Sequence, residues 1–297
     1  MWKNKFKTLI LLVALSGLFM FIGSLFGGAN GMTIAFIMAL LFNGVAYFFS
    51  DKIVLKMYGA KELDAQQHPE IVRVVRELSE SMRLPMPKLW IINTPVANAF
   101  ATGRNPKNSS IAVTTGIIAI LEPNELRGVL AHELSHIQNR DILVGTLAAT
   151  MATAIGYLAS MAQRSLFWGN DSRRKGTNVV GLLITAILLP IAATILQLSI
   201  SRSREYLADE TGSDACKDPL ALASALKKLH NNVQYAHFDK EDSLQASTAS
   251  LFIVHPFLAK GMLELFSTHP PLEKRIERLE KLHEHGLNNA YKHGSYR

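Results

Sequence analysis

His132-Glu133-Leu134-Ser135-His136 sets two histidines four residues apart, with a glutamate beside the first. On an α-helix, positions i and i+4 share a face one turn apart, so both imidazoles can reach a single metal ion. Glu133 then lies close enough to take a proton from a water held there. This is the HExxH arrangement, two zinc ligands and a general base, and its chemistry is metal-assisted hydrolysis. The pattern needs a helix, and the preceding residues supply one. Pro123 suits a first turn, where its missing N–H costs nothing, and Glu125 favours the positive end of the helix dipole. Taken alone, five residues also fit a plain helix with two surface histidines and a solvated glutamate.

A zinc site for hydrolysis takes a third protein ligand and keeps a fourth position for water. The segment SRSREYLADE, starting at Ser201, offers Glu205 and Asp209 at i and i+4. Glu205 as ligand, with Asp209 accepting the other ring N–H of a ligand histidine, meets that need. Arg202 and Arg204 stand beside them, so a solvated, salt-bridged helix is an equal reading of the same segment.

These polar segments must be positioned by a very apolar chain. Of 297 residues, 48% are hydrophobic and 19% charged, and the mean hydropathy is +0.15. That balance indicates a membrane protein with a sizeable soluble part. The net charge of +7 is not gathered into one aromatic-interleaved patch, which favours anionic lipid over nucleic acid as the partner. The single cysteine, Cys216, cannot form an internal disulfide and suits a reducing compartment.

From Thr8 to Ser50 there is no charged residue and no histidine, a length that accommodates two crossings of about 20 residues each. Gly27 to Gly31 interrupts the run, which predicts helices over Thr8–Phe26 and Met32–Phe49. A cleaved signal peptide fits less well, because a second apolar run follows at once. Lys3, Lys5 and Lys7 precede the pair; Lys52, Lys56 and Lys61 follow it. By the positive-inside rule both ends are cytoplasmic. Gly23 and Gly27 form a small-xxx-small pair on the first helix. Two further uncharged runs follow, Ile142–Gln163 directly after the HExxH helix and then Gly176–Ser201. The Arg164–Lys175 loop between them is basic, so spanning would put that loop outside, against the rule. A buried or interfacial helical pair is the alternative. In either case residues 51–141 and 202–297 lie on one face. The organisation is a membrane hairpin (1–50), two parts of one catalytic domain (51–141 and 202–297), and a hydrophobic pair (142–201) between them.

Within 51–141, apolar residues at Ile71, Val74, Val75, Leu78 and Met82 predict a helix over Pro69–Arg83. Lys88–Ile92, Val96–Gly103 and Ser110–Thr115 read as strands. An exposed edge of that small sheet gives an extended peptide backbone a place to pair. Later, Asp218–Asn231 and Leu272–His283 read as amphipathic helices, the second with Leu272, Ile276, Leu279 and Leu282 inward, and the tail beyond it as unstructured.

HELSH, NAFATG before it, SRSREYLAD and THPP after it, and two hydrophobic pairs in this order resemble the HtpX family over nearly the whole chain. These are bacterial membrane zinc metalloproteases of the envelope-stress response, related to the CAAX prenyl endoprotease. The resemblance implies a mainly α integral membrane protein with four hydrophobic helices and a gluzincin-like zincin domain containing a small β-sheet. It implies one Zn2+ per chain on His132, His136 and Glu205, with Glu133 as base. It also implies a catalytic domain on the cytoplasmic side of the inner membrane and misfolded membrane proteins as substrates.

Two further roles follow from that mechanism. A tetrahedral oxyanion needs donors besides the metal, and His269 of the THPP segment is the candidate; a packing histidine held by Pro270 is the alternative. The backbone of Asn98, Ala99, Phe100 and Ala101 would pair with the substrate, and Asn98 could also bond its main chain or simply form a turn. A non-hydrolytic zinc-binding chaperone or scaffold would have no use for Glu133. A zinc transporter would place ionisable groups inside the apolar runs, which carry none.

Overall fold

The computed structural model describes residues 2–151, 202–235 and 270–294. Most of Ile142–Gln163, the run Gly176–Ser201, the Arg164–Lys175 loop and His269 lie outside the described residues. The expectations placed on them stand as proposals.

Helix α1, Trp2–Met57, is two helical arms joined at Gly28, whose φ of 55° and ψ of −139° are open to glycine at little cost. The expected break of five residues is a single-residue kink. The arms fold back on each other: Asn43 Nδ2 donates to Ser16 Oγ (2.9 Å) and Leu12 O (3.3 Å), and the Phe19 and Phe42 rings lie 5.9 Å apart. A Cβ on Gly23 would come within 2.5 Å of Gly31 O and Ala35 Cβ, whereas Gly27 faces open space. The close approach therefore uses Gly23 and Gly31 across the hairpin, not Gly23 and Gly27 along one helix. Among the described residues, one helix, Gly27–Met57, is long and apolar enough to cross a membrane; Thr8–Phe21 is a shorter apolar helix. The second arm runs past Phe49 to Met57 because Val54 and Leu55 are buried against the sheet.

The sheet has the order β1–β2–β4–β3, formed by Lys61–Glu62, Lys88–Ile92, Asn108–Thr114 and Ala99–Asn105. β1/β2 and β4/β3 are antiparallel and β2/β4 parallel. Among the described residues β3 is an edge strand. Alternation along the strands splits the sheet between two cores. Ile92, Phe100 and Ala112 face the end of α1. Ala99, Ala101, Ile111 and Val113 face the main core with helix α2, Pro69–Ser81. A short helix α3, Thr115–Ile120, follows β4, with Thr114 Oγ1 accepting the N–H of Ile117.

Helix α4, Pro123–Gln138, is the centre of that core. Pro123 is at its first turn, and Glu122 and Glu125 close a capping box. Leu126, Val129, Leu130, Leu134 and Ile137 are buried, at about 1.5–3 kcal/mol for each large side chain. Arg140 takes φ 57°, and the turn leads into α5, whose described part is Ile142–Met151. Helices α6 (Arg202–Cys216), α7 (Pro219–Tyr235) and α8 (Leu272–Gly294) complete the layer. α7 and α8 run longer than their apolar patterns predict, and α8 takes in most of the tail expected to be unstructured. Leu222, Leu226 and Leu229 of α7 and Leu279 of α8 join the main core.

Candidate active site

α4 and α6 meet backbone to backbone. A Cβ on Gly212 would lie 2.8 Å from the N of His132 and 3.0 Å from its Cα, so only glycine allows this approach. The contact aims the acidic face of α6 at HExxH. His132 Nε2 and His136 Nε2 lie 3.2 Å apart. Glu205 Oε2 is 3.7 Å from the first and Oε1 3.6 Å from the second. Donors on one tetrahedral zinc at about 2.0–2.1 Å would be separated by about 3.3–3.4 Å. The three residues form one metal-capable group, and their spacing and donor chemistry fit a zinc ion. The solvated reading does not apply to Glu205 and Asp209, which are both buried. It survives in part for Arg204, which pairs with Asp141 at 3.6 Å.

Each imidazole has a carboxylate behind it. His132 Nδ1 is 3.0 Å from Asp209 Oδ1. Asp209 in turn receives Arg275 through Nε (2.9 Å) and Nη2 (2.6 Å). Burial disfavours the Asp209 carboxylate, yet the guanidinium holds it below the ordinary carboxylate range. His136 Nδ1 is 3.5 Å from Asp141 Oδ2, brought there by the turn at Arg140, where Asp141 N–H donates to His136 O. Arg275 and Asp141 had no role in the sequence reading. Arg275 shares the inward face of its helix with Leu272, Ile276 and Leu279, and a charge on that face was the available signal. Asp141 carried no periodic signal, because a turn delivers it.

Burial lowers the pKa of His132 despite Asp209. For His136 burial works the same way, but Glu205, Asp141 and Glu133 outweigh it and raise the pKa to about 9. Glu133 is raised to about 7, first by burial and then by the Glu205 charge. Glu133 Oε2 accepts the N–H of Ala101 at 2.8 Å, which turns the carboxylate toward the edge strand.

The other expected strand residues divide by alternation. The N–H groups of Ala101 and Gly103 point away from β4, to Glu133 and to Thr146, and Ala99 shares that side. Asn98 faces the other way: its N–H donates to Thr114 Oγ1 and its C=O accepts from Thr114 N–H. The main chain of Asn98 and the N–H of Ala101 are thus engaged within the fold, contrary to the expectation that they face substrate. The Phe100 ring packs on Tyr58.

Such a donor set with a glutamate beside it is that of a metal-dependent hydrolase. The profile of Peptidase family M48 matches residues 65–283. A protein named Protease HtpX homolog from Syntrophobacter fumaroxidans is 52% identical over 283 residues, covering 94% of this chain and 99% of that protein. Another of that name from Thermodesulfovibrio yellowstonii is 51% identical over 278 residues, covering 93% and 97%. The crystal structure of S. mikatae Ste24p aligns with a TM-score of 0.49 at 18% identity, over 93% of this chain and 65% of that one. The chain belongs to peptidase family M48, among its HtpX membrane metalloproteases.

Proposed function

We propose that this chain is a zinc-dependent endopeptidase of the bacterial inner membrane. Its catalytic domain faces the cytoplasm and hydrolyses misfolded or damaged membrane proteins. The observation that carries the reading is the His132–His136–Glu205 donor set, spaced for one tetrahedral ion, with Glu133 beside it against an edge strand. Zinc, when bound, would polarise a substrate carbonyl and acidify water. Asp209 and Asp141 orient the two imidazoles from behind. Ala101 N–H holds Oε2 of Glu133, leaving Oε1 to take the proton of the attacking water and pass it to the departing amine.

His269 as oxyanion donor remains part of this proposal, as do the second membrane pair within 142–201 and the division of the catalytic domain into 51–141 and 202–297. The basic residues flanking the first hairpin support a cytoplasmic domain. The test is cleavage of an unfolded polypeptide by purified protein with zinc, wild type beside Glu133→Gln. The wild type should cleave and the variant should not, while both bind zinc equally. Zinc binding without cleavage by either protein would favour a chaperone or scaffold.

A further inference from the structure

The membrane arm of α1 and the catalytic strand are built as one piece. The uncharged stretch of α1 ends at Ser50, and Asp51 and Lys52 follow. Lys52 Nζ sits 5.6 Å from the centre of the Phe49 ring, a cation reaching over the last apolar turn. Two contacts lay β3 alongside the helix. The Phe100 and Tyr58 rings are 5.4 Å apart. At the other end of the strand, the Arg104 guanidinium lies 5.5 Å from the centre of the Phe48 ring.

The lengths agree. Phe48 to Tyr58 is about 15 Å at about 1.5 Å of helix rise per residue. Phe100 to Arg104 is about 13 Å at about 3.3 Å per strand residue. β3 therefore runs antiparallel to the end of α1, with Arg104 level with the last apolar turn and Phe100 farther out. Val54 and Leu55, buried with Ile92, Phe100, Ala112 and Ala149, fix the strand to the helix. Ala101, next to Phe100, holds Glu133. The general base thus stands about 7–9 Å beyond the level of Ser50. A tilt of about 20° in α1 changes this by about 1 Å. Nearer the membrane, Thr146 of α5 covers the strand edge, bonding Thr102 Oγ1 at 3.0 Å and Gly103 N–H at 3.4 Å.

We propose that this mount fixes the cutting height of the enzyme: for membrane-tethered substrates, peptide bonds closer than about three residues to the embedded segment are out of reach. About 7–9 Å of extended chain is about two to three residues, and the sideways distance between substrate span and α1 adds a few more. The inference rests on the peptidase reading and names the substrates it favours, which are chains with an unfolded stretch emerging from a bilayer.

The experiment uses full-length protein with zinc in nanodiscs of phosphatidylcholine and phosphatidylglycerol. Single-span substrates carry one cleavable segment at increasing distances from the span, and cuts are mapped by mass spectrometry. Cleavage should be absent within about three residues, begin at about four to ten, and continue at every longer spacing. Cuts inside the span or within about two residues of it would overturn the proposal, as would an onset beyond about ten or no cleavage at any spacing. The same segment in a soluble polypeptide, run in parallel, separates failure of the fixed height from failure of the peptidase reading.

Discussion

Replacing Arg275 with methionine removes one of the most buried charges in the described structure. The arginine side chain is 2% exposed and grips an Asp209 side chain that is 3% exposed, with one hydrogen bond to each carboxylate oxygen. Methionine fills much of the same space without a charge. Asp209 would then be a buried carboxylate facing only His132, and breaking a buried pair from one side costs about 3–5 kcal/mol. Asp209 can relieve this by taking a proton, since burial already pushes its pKa up and the guanidinium is the largest of the influences that outweigh that push, with His132 the smaller one. A protonated Asp209 no longer offers His132 a charge-assisted acceptor, so zinc affinity should fall by about 10–100-fold. Denaturant unfolding of metal-free protein in detergent measures the first effect, and a chelator-buffered zinc titration measures the second. Adding Asp209→Asn removes the stranded charge and keeps an acceptor. The double variant should regain about 2 kcal/mol or more over Arg275→Met. An Arg275→Met protein within about 1 kcal/mol of wild type, with unchanged zinc affinity, would refute the argument that this arginine holds Asp209 in place.

Gly212→Ala should separate α4 from α6, since its Cβ would meet the backbone of His132 at 2.8 Å. We expect a loss of about 1–3 kcal/mol together with loss of zinc binding, and retained zinc binding would contradict the close approach. Glu205→Ala should abolish tight zinc binding without unfolding the protein, as read by metal stoichiometry and circular dichroism. Zinc binding should also be pH-dependent. The pKa of His136 is raised from 6.5 to about 9, so its proton stabilises the metal-free fold fully below pH 6.5, and that contribution is lost as pH rises through about 9. The ion must displace this proton, so the logarithm of the affinity should climb by about one per pH unit between about 7 and 9, then flatten. Affinity that is level across that range, in buffered titrations, would exclude the displacement.

Local rules carried far in this chain. HExxH at i and i+4 needed only a helix, and Pro123 and Glu125 marked where that helix starts; the structure adds that Glu125 closes a capping box and takes Lys228 and Ser224 as partners. The Glu205/Asp209 pair was visible for the same reason, since one helical turn brings two carboxylates to one face. The strand β2 was legible to its ends, because short β-rich runs flanked by prolines admit little else. The ends of β3 and β4 differ from the expected ones by one to three residues, since they are set by pairing and by the bulge at Gly103 to Asn105.

The amino-acid sequence by itself determined the chemistry, because ligand types, their helical spacing and the uncharged runs are properties of neighbours along the chain. Tertiary structure decided how that chemistry is held. That Gly212 presses on His132, that Arg275 reaches Asp209 from another helix, and that a turn returns Asp141 to His136 are distances between segments remote in sequence or joined by an irregular turn. No periodicity records them. The height of the site above the membrane is of the same kind: it follows from β3 packing along α1 through Phe100 and Arg104, a contact made only when the sheet is complete.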